Sequence, residues 1–313
     1  MFEQVGFIGL GAMGIRMSKR LIGAGYPVLG YDIDRDALEK ARANGAEIAS
    51  SPREVGERCN PVITIVPNSE VVEKVVLGSE GVAEGAGEGD LLIDMTTAYP
   101  MSTLKVAEEL AKRGIRMLDA PVSGGVEGAE RGTLSIMVGG DDDLVEACRP
   151  LFEAMGKNLF HMGGIGSGHV TKAVNNFLFG CAMAATSEGL VLATKMGLDP
   201  KKVIDVLQVS TGRNYATEWK FPQFVLPRTF DDGFRIELLN KDLAIFTRLA
   251  QEFQIPAFVA QTVQQIFNVG MSKGYGPRGN TAIALLIEEW AGVKIEKSSN
   301  RRDVTGSFNR TDG

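Results

Sequence analysis

A lysine and an asparagine in an otherwise apolar segment are the residues whose types and spacing best suit chemistry. Lys172 and Asn176 lie in Gly168-His169-Val170-Thr171-Lys172-Ala173-Val174-Asn175-Asn176, which opens a helical pattern that continues to about Lys195. Residues four apart share a helix face, so we expect both side chains to point to one site. Lysine is rarely buried unless it is paired or functional. The alternative is that Lys172 extends its amine to solvent from the first turn.

A glycine-rich turn near the start of the chain predicts a dinucleotide site. Gly9-Leu10-Gly11-Ala12-Met13-Gly14 follows a short apolar strand and precedes an amphipathic helix over 15–23. This is the G-x-G-x-x-G pattern in the strand–turn–helix context that such a site requires. We expect Gly9 to permit the tight turn, Gly11 to let a pyrophosphate approach the backbone, and Gly14 to let helix and strand pack closely. The N–H groups that begin the helix would bind the phosphates.

An acidic residue after the second strand indicates which dinucleotide is bound. Asp32 stands about 20 residues beyond the glycines, where a carboxylate binds the ribose hydroxyls. The same carboxylate would repel a 2′-phosphate, so the predicted cofactor is NAD. Arg35 lies close in sequence and could receive that phosphate, which keeps NADP open as the alternative.

Strand and helix patterns alternate through the first half of the chain. Further apolar strands are predicted at 62–66, 91–95, 116–120 and 134–138, with helices over 69–77 and 101–113. This alternation predicts an α/β fold with a doubly wound parallel sheet. Ligands of such sheets lie at the carboxyl ends of the strands, so Pro67, Asn68 and Thr97 are predicted to face the cofactor. Their alternative role is loop capping.

The segment after the fifth strand contains Ser123-Gly124-Gly125. Consecutive backbone N–H groups beside a hydroxyl form a concavity that suits a carboxylate. A glycine-rich loop without a ligand is the alternative.

The strand pattern disappears from about Gly197. Helices are predicted over 201–208, 238–253, 256–268 and 282–291, and 210–234 is predicted to be irregular. The predicted organisation is a Rossmann-type domain over 1–164 and an all-α domain over 165–293 with a linking helix at 168–195. A polar tail over 294–313 is expected to be mobile or docked on a partner subunit.

Composition limits the classes of partner. The 313 residues carry a net charge of −6, which gives no basic footprint for nucleic acid or an anionic membrane. The apolar run over 173–185 is too short to predict a membrane span. Three scattered cysteines fit reduced thiols, and the start of the chain shows no secretory signal, so we expect a cytoplasmic protein. Two histidines give no basis for a metal site.

Four motifs together resemble those of the β-hydroxyacid dehydrogenase family, in the branch of 3-hydroxyisobutyrate dehydrogenase and tartronate semialdehyde reductase. They are Gly6-Phe7-Ile8-Gly9-Leu10-Gly11-Ala12-Met13-Gly14, Asp119-Ala120-Pro121-Val122-Ser123-Gly124-Gly125, the lysine segment 168–176, and Lys241-Asp242-Leu243. The resemblance extends over about 2–293.

This resemblance implies a role for each motif. Lys172 would be the catalytic general acid and base, the Ser123-Gly124-Gly125 loop would hold the substrate carboxylate, and Asn176 would orient the substrate. Thr97 and Lys241 would lie beside the nicotinamide. The implied reaction is NAD-dependent interconversion of a small 3-hydroxy acid and its aldehyde or ketone, by a homodimer or homotetramer.

Other activities remain open on the same motifs. A tartronate semialdehyde, glyoxylate or other semialdehyde reductase and a threonate- or serine-type dehydrogenase use comparable residues. 6-Phosphogluconate dehydrogenase has a longer α domain, and imine reductases typically replace the lysine. A non-catalytic NAD-binding module is the alternative from another class. Arg213 could bind a second anionic group of the substrate, or it could be an exposed loop residue.

Overall fold

The computed structural model describes residues 2–297. Within them the chain forms two compact units, and the division falls between Ala173 and Val174. This division lies inside the linking helix that the sequence predicts over 168–195. Each unit has its own apolar core.

The first unit is built on one mostly parallel sheet. Its strands are β1 (Val5–Ile8), β2 (Val28–Tyr31), β3 (Glu47–Ile48), β4 (Val62–Thr64), β5 (Leu91–Asp94), β6 (Arg116–Asp119), β7 (Val122–Ser123), β8 (Leu134–Gly139) and β9 (Gly156–Gly163). The order is β3-β2-β1-β4-β5-β6-β8-β7, with β9 also paired to β8. Strands β1, β4 and β5 are buried along their whole length, as expected of strands covered on both faces. The predicted doubly wound sheet is confirmed.

Helices cover this sheet on both faces. They are α1 (Gly14–Gly23), α2 (Arg35–Ala43), α3 (Pro52–Arg58), α4 (Ser69–Leu77), α5 (Pro100–Ala111), α6 (Gly125–Arg131) and α7 (Asp142–Met155). Side-chain oxygens begin several of them: Asp34 Oδ1 accepts from the backbone N–H of Asp36, and Ser51 Oγ accepts from that of Glu54. Such caps satisfy N–H groups that have no partner inside the helix. Two apolar cores, one on each side of the sheet, hold the layers together.

A 29-residue helix, α8 (Ser167–Lys195), runs from the first unit into the second. By length and apolar composition alone the whole helix could cross a bilayer, although the apolar run over 173–185 within it is shorter than a membrane span. Of the most apolar 18-residue stretch of this helix, 44% is buried inside the structure. Core helices of soluble proteins share this length and apolar composition, so these properties are weak evidence for a membrane span. Leu178 and Leu192 stay exposed on this helix.

The regular elements of the second unit, within residues 174–297, are helices, and one antiparallel bridge joins Arg235 and Gly279. After α8 come α9 (Pro200–Leu207), a π-helix (Ala216–Val225), α10 (Ile236–Glu252), α11 (Phe258–Ser272), a 3₁₀ turn (Asn280–Ala282) and α12 (Ile283–Ala291). The prediction that 210–234 is irregular is therefore wrong over the π-helix. Pro222 lies inside that helix and removes one backbone donor, which is why the local pattern predicts an interruption.

The start of the predicted tail belongs to the core of the second unit. Ile295 is fully buried, and its N–H donates to Glu288 Oε1 at 2.6 Å. The prediction of a mobile or partner-docked tail is wrong at this position, because a single apolar residue anchors the segment. Residues 298–313 lie outside the described residues.

Candidate active site

In the glycine turn after β1, the fold requires glycine at two positions and leaves space for a side chain at the third. Gly9 has φ +96°, and a Cβ there would lie 2.2 Å from the Ile65 carbonyl oxygen. A Cβ on Gly14 would lie 1.8 Å from the carbonyl oxygen of Gly9, so strand and helix approach too closely for any side chain. A Cβ on Gly11 would meet nothing within 4 Å. The open space at Gly11 fits a pyrophosphate against the backbone.

Asp32 fixes the geometry of this turn. Its Oδ2 accepts from the Leu10 N–H at 2.6 Å, and its Oδ1 accepts from the Asp34 N–H at 2.9 Å. A carboxylate has about four lone-pair sites, so both oxygens can still accept from ribose hydroxyls. Arg35 is exposed on the first turn of α2. The donor and acceptor set therefore fits a dinucleotide.

Of the residues predicted to face the cofactor after β4 and β5, one caps a helix and the other two are at least partly exposed. Asn68 Oδ1 accepts from the Val71 N–H at 3.0 Å and begins α4, which is the capping role left open by the sequence. Pro67 is exposed and Thr97 is half-buried. Thr96, its neighbour, is buried and accepts from the Val66 N–H.

The beginning of α8 is held by a carboxylate at the end of β6. Asp119 Oδ1 accepts from the Gly166 N–H at 2.6 Å, and Oδ2 accepts from the His169 N–H at 2.7 Å. Asp119 thus acts as an N-terminal cap from another strand, and its negative charge lies at the positive end of the helix. The sequence places Asp119 in the second of the four motifs but gives no sign of this capping role.

His169 extends the same buried network. Its Nε2 donates to the Thr96 carbonyl oxygen at 2.8 Å, since a carbonyl only accepts. Its Nδ1 lies 2.7 Å from the Thr103 hydroxyl and 3.7 Å from Asp119 Oδ2. Asp94 Oδ2 is 3.9 Å from Nε2. The imidazole is therefore fixed in orientation between two strand ends and α5.

Lys172 follows His169 by three residues and is 7% exposed. Burial decides against the alternative in which its amine extends freely into solvent. In the same unit, Ser123 ends β7 and is half-buried, and Gly124 and Gly125 follow with φ of +130° and +63°. Both glycines are exposed at the start of α6, where backbone N–H groups lack helical partners.

In the second unit one carboxylate bridges two predicted site residues. Asn176 Nδ2 donates to Asp242 Oδ2 at 2.5 Å, and Lys241 Nζ lies 2.8 Å from Asp242 Oδ1. Asn176 is 2% exposed and Asp242 is 3% exposed. Asp242 belongs to the fourth motif, and its position next to Lys241 is the feature of the sequence that indicates it.

Arg213 lies apart from these buried groups. Its side chain is 63% exposed, and Nε is 3.2 Å from Glu218 Oε1. A second lysine–aspartate pair, Lys220 and Asp232, is buried in the same unit with 2.9 Å between Nζ and Oδ2. Burial raises the pKa of the Asp232 carboxyl, against the opposing effect of Lys220.

Comparison with known proteins assigns this arrangement to a family. Residues 4–164 match the model described as the NAD binding domain of 6-phosphogluconate dehydrogenase. Residues 166–287 match the model described as NAD-binding of NADP-dependent 3-hydroxyisobutyrate dehydrogenase. The chain belongs to the β-hydroxyacid dehydrogenase family. The first unit of this dehydrogenase is an NAD-binding domain, and the predicted fold, family and cofactor are confirmed.

Individual relatives cover nearly the whole dehydrogenase. The 2-(hydroxymethyl)glutarate dehydrogenase of Eubacterium barkeri is 37% identical, over 93% of this chain and 97% of its own. The NAD-dependent L-serine dehydrogenase of Pseudomonas aeruginosa is 35% identical, over 93% and 99%. The solved 3-hydroxyisobutyrate dehydrogenase of Mycobacterium tuberculosis with L-serine has a TM-score of 0.86 at 31% identity, over 92% and 99%. The chain is thus a hydroxy acid dehydrogenase.

Proposed function

We propose that this dehydrogenase oxidises a small 3-hydroxy acid that carries a primary alcohol, and reduces the corresponding semialdehyde, with Lys172 as general base and acid. The observation that carries the proposal is the burial of Lys172 at 7% exposure, one turn beyond the Asp119 cap. A buried amine is retained where it is paired or used.

Bound NAD would supply the hydride acceptor for oxidation of the hydroxyl carbon. The Ser123 loop binds the substrate carboxylate through its hydroxyl and backbone N–H groups. Lys172, as the neutral amine, accepts the hydroxyl proton and returns it to the carbonyl oxygen in the reverse direction. Burial disfavours the charged form of an amine, which suits a group that must take a proton. Asn176 donates an amide N–H that orients the reacting oxygen.

The substrate class follows from what the named relatives share. 2-(Hydroxymethyl)glutarate, 3-hydroxyisobutyrate and L-serine each have a carboxylate and a CH₂OH group on the same carbon. They differ only in the third substituent, which is a carboxyethyl, a methyl or an ammonium group. We therefore propose that the carboxylate and the alcohol are recognised in common, and that Arg213 favours a substituent with a distal acidic group.

The test is NADH formation across a panel of 2-(hydroxymethyl)glutarate, 3-hydroxyisobutyrate, L-serine, glycerate and threonate, with NAD and NADP in parallel. A rate with NAD and an acid whose 3-hydroxyl is a primary alcohol supports the proposal, whereas turnover of threonate alone, whose 3-hydroxyl is secondary, would favour the threonate-type alternative. If NAD binds but the enzyme neither oxidises any of the acids nor reduces any of the related semialdehydes, the proposal is contradicted and a non-catalytic module is favoured.

We further propose a cytoplasmic homodimer or homotetramer. Val174, Leu178 and Leu192 are exposed along α8, and a partner subunit would cover this apolar surface. Burial raises the pKa of the Cys59 and Cys148 thiols to about 12, which suits reduced thiols of low reactivity. Light scattering coupled to size-exclusion chromatography measures the subunit number, and a monomer would contradict the proposal.

A further inference from the structure

We infer that Asp242 is a positioning residue, which orients the Asn176 amide and the Lys241 amine for the reaction. The inference rests on the proposed function, because it concerns how two of its residues are held. Asp242 is not proposed to touch the substrate, the cofactor or the transferred proton.

The two oxygens of Asp242 have separate partners. Oδ2 accepts from Asn176 Nδ2 at 2.5 Å, whereas Oδ1 lies 2.8 Å from Lys241 Nζ. The carboxylate is 3% exposed, so water competes little for either contact. The contact with Asn176 is a charge-assisted hydrogen bond, which is shorter and stronger than a neutral one, and the contact with Lys241 is an ion pair. A single buried group therefore connects α8 and α10 through the side chains that the proposed reaction uses.

The carboxylate decides which end of the Asn176 amide faces which way. An ionised carboxylate only accepts, so the NH₂ end of the amide must face Asp242. Asn176 Oδ1 in turn accepts from Asn175 Nδ2 at 2.9 Å. With both ends assigned, the second N–H of the Asn176 amide has one defined direction. That N–H is the one available to a substrate oxygen.

Lys241 gains a fixed position from the same carboxylate. Its side chain is 27% exposed and has four rotatable bonds, so its amine would sample many positions without a partner. Ordering such a side chain costs about 2 kcal/mol of conformational free energy. Pairing with Asp242 meets this cost before the ligands bind, which is how preorganisation increases affinity and rate.

The chain provides a matched control for this pair. Lys220 and Asp232 form a second lysine–aspartate pair in the same unit, with a 2.9 Å contact and the carboxylate fully buried. Within residues 2–297, the contacts of Asp232 include no residue that is predicted to belong to the active site. Asp232→Asn therefore reports the general cost of losing a buried ion pair, whereas Asp242→Asn adds any loss of positioning.

The experiment compares Asp242→Asn with Asp232→Asn in the full-length enzyme, by kcat, KM for the best panel acid, and thermal melting. We expect both variants to melt at lower temperature. Only Asp242→Asn should reduce kcat/KM, by about 10²-fold, because small misplacements of substrate-positioning groups have effects of this size. Asp242→Glu, which keeps the charge, should recover part of the loss. Equal kcat/KM for Asp242→Asn and Asp232→Asn would overturn the inference.

A double-mutant cycle tests whether Asp242 acts through its partners. In an Asn176→Ala or Lys241→Met background, Asp242→Asn should reduce kcat/KM by less than about threefold, since residues that act together are non-additive. A full additive loss in both backgrounds would show that Asp242 acts by another route and would overturn the inference.

The proposed function can fail separately. A wild-type enzyme that converts no acid or semialdehyde overturns that function. The free energies of unfolding of the same single and double variants then show whether Asp242 and Asn176 interact in the folded enzyme. Coupling between Asp242→Asn and Asn176→Ala supports the positioning, and additivity overturns it.

Discussion

Two buried carboxylates, Asp119 in the first unit and Asp242 in the second, organise their surroundings through different kinds of donor. Asp119 accepts from two backbone N–H groups, those of Gly166 and His169. Asp242 is paired with two side chains, those of Asn176 and Lys241. The contacts of Asp119 with backbone N–H groups fix where α8 begins. The contacts of Asp242 with side chains fix the orientation of groups that the proposed reaction uses. The comparison implies that losing Asp119 harms mainly the fold, whereas losing Asp242 harms mainly the chemistry.

The largest expected effect comes from Lys172, which lies one turn after the Asp119 cap. Lys172→Ala should reduce kcat by about 10³-fold, because general acid–base catalysis contributes about 10²- to 10⁴-fold. NAD binding, measured by quenching of intrinsic fluorescence, and the far-UV circular dichroism spectrum should be retained. Turnover near the wild-type rate would refute the role of Lys172 as general base.

Asp119→Ala tests the fold side of the comparison. It leaves two buried N–H groups without their acceptor, and each such loss costs about 1–3 kcal/mol. We expect the free energy of unfolding, from urea titration, to fall by about 3 kcal/mol on this basis. Asp119→Asn retains one acceptor oxygen and should lose less. A stability loss no larger than that of Asp242→Ala would contradict the distinction between the two carboxylates.

The glycine turn offers the same contrast on a smaller scale, because the fold requires Gly9 and Gly14 but leaves space at Gly11. Gly11→Asp should weaken NAD binding by about 10²-fold through like-charge repulsion with the pyrophosphate. Gly23→Asp is the matched control, since a Cβ there also meets nothing within 4 Å and the residue lies at the far end of α1. Calorimetric titration with NAD compares the two variants, and equal affinities would exclude the turn as the phosphate site.

The smallest effect is expected at the exposed Arg213. Arg213→Ala should lower the preference for 2-(hydroxymethyl)glutarate over 3-hydroxyisobutyrate by about fivefold, since a charged contact at a partly solvated site contributes roughly 1 kcal/mol. Glu218→Ala, which removes the neighbouring carboxylate, should shift the preference in the opposite direction. Unchanged ratios of kcat/KM in both variants would remove Arg213 from the substrate site.

The sequence predicts those features that depend on neighbours along the chain. The strand–turn–helix around Gly9 and the start and end of α8 each follow from patterns within 30 residues. The caps and bridges do not, because Asp119 reaches Gly166 across 47 positions and Asp242 reaches Asn176 across 66. The motifs contained both carboxylates, but only the folded chain shows which donors they meet. The π-helix over Ala216–Val225 was missed because Pro222 predicts an interruption.

The Asp119 cap should also slow hydrogen exchange at the start of α8. The first-turn amides of a helix normally exchange their protons with water quickly, since no carbonyl protects them. The N–H groups of Gly166 and His169 are bound to a fully buried carboxylate, so their exchange must wait for a larger opening of the first unit. In deuterium oxide, the amides of Gly166 and His169 should therefore keep their protons long after the first amides of α6 have exchanged.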